Sequence, residues 1–261
     1  MISSAAPSEV LNRRLRRARE LAALWPFARE MLELFCAVTE LQREALERLP
    51  VPLPKDAGAM ARYFPPLLDL VEKRGPVGLV EAAIRWRART VADVEQALRA
   101  FWGGEKGEPA ERFFAKAILT PYSLARRRGW HEEPSRGVEP ANVCPFCGHP
   151  PAASVLREEK GSETLARSLV CSLCSHEWSF PRVRCPGCTE ERPEKLPRFT
   201  ADEIPWIRIE ACDACRSYLK AVDLTRNPGA DPVVDELAST PLDILARGEK
   251  YWKLEVNLAG M

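Results

Sequence analysis

"VCSLCSHEWSFPRVRCPGC", residues 170–188, carries four cysteines in two Cys-x-x-Cys pairs. Taken alone, the stretch is one four-cysteine metal site. Two more pairs flank it, so its meaning depends on spacing. The four pairs are Cys144/Cys147, Cys171/Cys174, Cys185/Cys188 and Cys212/Cys215. Cys144 to Cys185 and Cys171 to Cys212 both span 41 positions, so the region is an internal repeat. "CPFC" answers "CPGC", and Trp178 and Leu219 each stand four residues after the last cysteine of their copy.

A duplicated unit is expected to carry a complete site. Cys144, Cys147, Cys171 and Cys174 would form the first, and Cys185, Cys188, Cys212 and Cys215 the second. The quoted stretch then holds the second half of one site and the first half of the next. Two other groupings stay open. In a cross-brace the first pair joins the third and the second the fourth. In a nested form the two inner pairs make one site.

The spacing suits the chemistry. Two cysteines separated by two residues wrap a tight turn whose sulfurs face one point and whose backbone N–H groups stabilise thiolate charge. Two such turns supply a tetrahedral four-sulfur site for zinc or a single iron. Iron–sulfur clusters generally use other spacings. A module of about 40 residues buries little core, so a bound metal would supply folding energy. A thioredoxin-like redox pair would need a βαβ context that the repeat lacks. His149 and His176 are surplus to two complete sites and are expected beside them, with Trp178 packed on the turn below it.

The ninth cysteine, Cys36, lies in an apolar helical stretch and is expected in a core. The chain has 261 residues, 46% hydrophobic and 29% charged, with 38 basic and 37 acidic residues and a net charge of +1. No global field draws it to nucleic acid or an anionic membrane. Within 144–222, 11 basic residues meet 11 acidic ones, a poor balance for reading phosphates. No apolar run approaches the roughly 20 residues that span a bilayer. Arg13-Arg14 is followed by Arg16, Arg17, Arg19 and Glu20, not by the uncharged stretch of an export signal. A cytoplasmic, reducing location is expected, which favours metal-bound thiols over disulfides.

The first 130 residues carry helical periodicity. Phe27, Met31, Leu34, Val38, Leu41 and Ala45 step by four and three within a long helix over 8–49 that Pro26 would break or kink. Further helices are expected over 67–74, 77–89, 91–102 (opened by a Thr90/Asp93 capping box) and 110–128. Residues 129–143 and 227–232 read as linkers, and a last helix over 232–247 contains Pro241, which could split it. The expected fold class is α+β: a helical bundle over 1–130, metal-ribbon modules over 143–182 and 183–224, and a C-terminal helix and tail over 231–261. No paired carboxylates, Ser-His-Asp pattern, phosphate loop or dinucleotide glycines occur, so the chain does not read as an enzyme.

In combination, "VCPFCGHPPAASVL", "LVCSLCSHEWSFPRVRCPGC" and "EACDACRSYLKAVD" resemble FdhE, the formate dehydrogenase accessory protein family. The resemblance is carried by residues 143–223, with weaker support from "DELAS" and the helical N-terminal half. It implies a non-catalytic, cytoplasmic maturation factor or chaperone. Its partner would be the formate dehydrogenase catalytic subunit, which carries molybdenum or tungsten and an iron–sulfur cluster. It implies rubredoxin-like sites, with iron a candidate beside zinc, one ion in each. The eight paired cysteines match the family's ligands. Glu177, Trp178 and Arg182 match positions between the sites and are expected to support the fold or the partner surface. The end, "WKLEVNLAGM", matches only loosely, which leaves the tail's role open. A nucleic-acid-binding double ribbon and an iron redox protein are the alternative functions.

Overall fold

A computed structural model describes residues 5–105, 107–128, 142–159, 161 and 164–258. The described residues divide into two compact units, one running up to residue 128 and the other from residue 142 onward. No described helix is long and apolar enough to cross a membrane.

The first unit is helical. Helix α1 (Pro7–Leu24) and helix α2 (Arg29–Glu47) are separated by a short 3-10 turn over Pro26–Ala28, so the long helical stretch divides at Pro26, where a break or kink is expected. Val10, Leu11, Leu15, Ala18 and Leu21 form the buried stripe of α1. Cys36, expected in the core, is only half-buried on α2. Helices α3 (Phe64–Arg74), α4 (Val77–Arg87) and α5 (Val91–Trp102) follow, and both halves of the Thr90/Asp93 capping box are present. Helix α6 (Pro109–Arg127) is central, since every residue from Phe113 to Leu124 is buried. It runs through Pro121, which cannot donate to the carbonyl of Ala117. The side chain of Gln42 on α2 donates to that carbonyl instead, at 2.9 Å. The linker expected over 129–143 lies almost wholly outside the described residues.

The second unit is built on one sheet. Strands β1 (Pro151–Glu158), β2 (Leu165–Cys171) and β3 (Glu177–Ser179) form a meander in the first copy of the repeat. Strands β4 (Arg198–Thr200), β5 (Ile207–Ala211) and β6 (Ser217–Asp223) form one in the second. The repeat extends to register. Leu169 pairs with Trp178 as Glu210 pairs with Leu219, and Val170 with Glu177 as Ala211 with Tyr218. The strand order is β3-β2-β1-β6-β5-β4, with β1 and β6 parallel. Each copy therefore runs third, second, first, and the two are joined edge to edge by a shift along one sheet.

The C-terminal helix is split near Pro241 into α7 (Pro232–Ala238) and α8 (Thr240–Gly248). Strand β7 (Trp252–Lys253) then pairs with the start of β6. Strand β6 is buried on both faces from Tyr218 to Val222. Lys220 and Tyr218 point towards α7 and α8, while Leu219 and Ala221 point to the opposite face.

Candidate metal centres

Each Cys-x-x-Cys pair closes the same turn. The N–H of the first cysteine donates to the carbonyl five residues on: Cys144 to His149, Cys171 to His176, Cys185 to Glu190 and Cys212 to Ser217, at 2.8–2.9 Å. The residue after the second cysteine sits in the left-handed region in all four turns: Gly148 (φ 74°), Ser175 (φ 57°), Thr189 (φ 64°) and Arg216 (φ 59°). Only the first is glycine, so the other three hold a costly backbone conformation. The glycine of "CPFCGH" was the only trace of this geometry in the sequence. Backbone N–H groups of Leu173 and Cys174 reach Cys171 Sγ at 3.4 Å, and that of Gly187 reaches Cys185 Sγ at 3.3 Å. Gly187 has no room for a Cβ, which would lie 2.9 Å from Ser217 Oγ and 3.2 Å from Leu254 Cδ1.

The turns meet in two sets. Cys144, Cys147, Cys171 and Cys174 form one, Cys185, Cys188, Cys212 and Cys215 the other, and within each set all sulfurs lie within 4.8 Å of one another. The cross-brace and nested groupings do not occur. The shorter S···S distances are 3.3–3.5 Å in the first set and 3.6–3.7 Å in the second. A tetrahedral metal with bonds of about 2.3 Å places its sulfurs about 3.8 Å apart, so the sets fit one ion each.

The electrostatics agree. Hydrogen bonds from Cys147, Cys171 and Cys174 pull the Cys144 thiol well below its ordinary value, while burial pushes Cys171 and Cys174 up. Charge is thus favoured at Cys144 and opposed by burial at Cys171 and Cys174, a cost that a bound cation would offset. In the second set, burial opposes ionisation of Cys215, but the Ser217 hydroxyl, 3.0 Å away, helps bring it down to about 7. The sets differ in access: three sulfurs of the first are on buried residues, whereas Cys188 of the second is exposed.

The surplus histidines are buried beside the sites, and His176 stacks on Trp178 with ring centroids 6.2 Å apart. Trp178 is buried on β3, against Leu169. Glu177 ties three strands together, accepting from Arg157 of β1 and Ser168 of β2. Burial opposes its charge, but these donors hold its carboxyl below the usual range. Arg182 is exposed in the loop leading to Cys185.

Residues 143–182 match the family model described as "FdhE, central domain", and residues 183–259 match "FdhE, C-terminal domain". A protein of Haemophilus influenzae (strain PittEE) named "Protein FdhE homolog" is 30% identical over 262 residues, covering 92% of this chain and 84% of that protein. The chain belongs to the FdhE family. The FdhE homolog of Stutzerimonas stutzeri (strain A1501) is 29% identical over 277 residues, covering 97% of this chain and 90% of that one. The crystal structure of the FdhE protein from Pseudomonas aeruginosa superposes with a TM-score of 0.74 at 26% identity, covering 98% of this chain and 97% of that chain. The FdhE likeness thus extends through the helical unit, beyond the cysteine region that the family models match.

Two groups of the FdhE-family chain were not legible beforehand. One is a buried cluster in which Lys220 and Lys253 meet Glu236 and Asp243, all at most 2% exposed. It anchors the tail, because Lys253 lies on β7. The other is Glu210, which accepts from Arg167, Arg208 and Ser154. Single charged residues far apart in sequence carry no spacing signal, so only the fold reveals them.

Proposed function

We propose that this chain is a non-catalytic formate dehydrogenase accessory protein that binds the immature catalytic subunit in the cytoplasm. Family membership supports the accessory role. The single observation that carries the non-catalytic reading is the closure of both metal centres by four cysteines each. A metal held by four protein ligands has no open position for substrate, as in structural sites. The eight cysteines would hold one zinc or iron ion per site, Glu177 and Trp178 would brace the first module, and Arg182 would face the partner.

Affinity capture of the tagged full chain from anaerobic lysate of its own source, followed by mass spectrometry, tests this reading. Enrichment of a formate dehydrogenase catalytic subunit, lost in Cys144→Ser or Cys212→Ser, is the expected outcome. Recovery without that subunit would overturn the reading.

The exposure of Cys188 favours a second role at the same sites. With iron bound, the second centre could exchange one electron with a partner, cycling between ferric and ferrous forms with an external reductant. Reversible bleaching of visible colour on adding reductant would support it, and a colourless zinc-loaded protein from iron-replete cells would count against it.

A further inference from the structure

The sheet face opposite α7 and α8 carries a concentration of arginine. Register places Arg167 of β2, Ser154 of β1, Arg208 and Glu210 of β5, and Arg198 of β4 on that face. Glu210 is fully engaged there. Its Oε2 accepts from Arg167 at 2.7 Å and its Oε1 from Arg208 at 2.7 Å. Arg167 also donates to the carbonyls of Pro181 and Arg184. The side chain of Arg184 has Glu191 3.7 Å away.

Two guanidiniums remain. Arg182 and Arg198 line an open cleft with Arg167 and Arg184, floored by Leu219 and walled by Cys185 of the second metal centre. Neither makes a hydrogen bond or ion pair with any described residue. Burial and the positive charge of Arg208 make protonated Arg198 less favourable than usual; Glu210 opposes this, and Arg182 and Arg167 add smaller effects in the same direction as Arg208. Of the five arginines of this region, Arg167 and Arg208 pair with Glu210 and Arg184 lies near Glu191. The cleft is thus a positive, partly apolar recess with unspent donors. Beside it, β4 is the edge of the sheet and pairs only with β5 among the described residues. An edge strand is a template for an added strand.

We propose that the cleft takes a carboxylate side chain of an extended acidic peptide, gripped by Arg182 and Arg198, with the peptide backbone laid along β4. Planar guanidiniums match carboxylates bidentately, and the free edge beside them favours a peptide over a free ion. The chemistry stands whether or not the partner is the subunit proposed above.

The test is fluorescence anisotropy on the full chain with both metal centres loaded. The probe is a labelled short peptide alternating Glu with Val, compared with the same peptide carrying Gln. The Glu peptide should bind about tenfold or more tightly at low salt and weaken as salt rises. Arg182→Ala with Arg198→Ala should remove that preference while both metal ions stay bound. Equal binding of the two peptides by the unaltered protein, or an unchanged preference in the double variant, would overturn the proposal. So would full displacement by equimolar inorganic phosphate, which would mark a free-anion site. The comparison on the unaltered protein stands even if the double variant fails to fold.

Discussion

Lys220 Nζ lies 2.8 Å from Asp243 Oδ2, and neither side chain is exposed to solvent. Lys220 also donates to Ser239 Oγ and to the carbonyl of Glu236, so its three protons are used on α7, α8 and the turn between them. Burial pushes its ammonium below the ordinary lysine range, and neighbouring Lys253 adds to that, while Glu236 and Asp243 oppose it. Two cations and two carboxylates leave the cluster neutral. Lys220→Met would strand the carboxylates with Lys253 alone, and a loss of about 3–5 kcal/mol is expected in urea unfolding. Lys220→Met combined with Asp243→Leu restores neutrality around the Lys253–Glu236 pair and should recover much of that loss. A double variant as unstable as the sum of its single changes would show that the two charges are not coupled.

The metal centres should differ in lability. Cys188 is exposed, whereas the first centre keeps three of its four cysteines buried. The purified chain should hold two metal ions, and a chelator should remove the second centre's ion first. Metal analysis of Cys185→Ser and Cys144→Ser checks this, with one ion expected in each. The ion kept by Cys185→Ser should leave more slowly than the one kept by Cys144→Ser.

Thr189 holds φ at 64°, a conformation that β-branched residues strongly avoid, and its hydroxyl donates to the Cys188 carbonyl. Its equivalent in the first turn is Gly148. Thr189→Gly should relieve about 1–2 kcal/mol of backbone cost, partly offset by the greater freedom of glycine in the unfolded chain and the lost hydrogen bond. A higher melting temperature of the metal-loaded protein is the expected outcome, and a lower one would show that the hydroxyl matters more than the strain.

What the sequence disclosed and what it concealed follow from the range of each interaction. The cysteine pairs are local, and their 41-residue repeat favoured the grouping seen in the two sulfur sets while leaving a cross-brace and a nested form open. The helices of the first unit were visible in apolar spacing, and Pro26 and Pro241 marked where helices divide. Nothing local announced that β1 and β6 pair in parallel, since that contact joins opposite ends of the duplicated region. Nor could "WKLEVNLAGM" reveal that Lys253 enters a buried cluster. Its position depends on Trp252 and Leu254 donating to the carbonyls of Arg216 and Tyr218.

Gln42 and Pro121 offer a clean pairwise test. The Gln42 amide supplies the hydrogen that Pro121 cannot give to the Ala117 carbonyl. Gln42→Leu should cost about 1–3 kcal/mol by leaving that buried acceptor unmet. In a Pro121→Ala background the helix supplies its own donor, so the same change should cost markedly less. Equal costs in both backgrounds, read from denaturant midpoints, would assign Gln42 to packing alone.

Glu210 carries the pH dependence with the clearest sign. Burial acts to raise its pKa, but Arg167 and Arg208, with Ser154 donating as well, bring it from 4.5 down to about 2. A carboxylate depressed in the folded state stabilises it above the unfolded value, and that contribution fades as pH falls through the folded one. The drop corresponds to about 3 kcal/mol, present in full at neutral pH. Glu210→Gln should therefore destabilise the second unit by about that amount at pH 7. The gap between wild type and variant should stay constant down to about pH 5 and narrow below 4.5 towards 2. Because acid also strips thiolate-bound metal from both proteins, the quantity to follow is their difference at each pH. A gap that is the same at pH 7 and at pH 3 would mean that Glu210 contributes through shape and hydrogen bonding, with its charge playing no part.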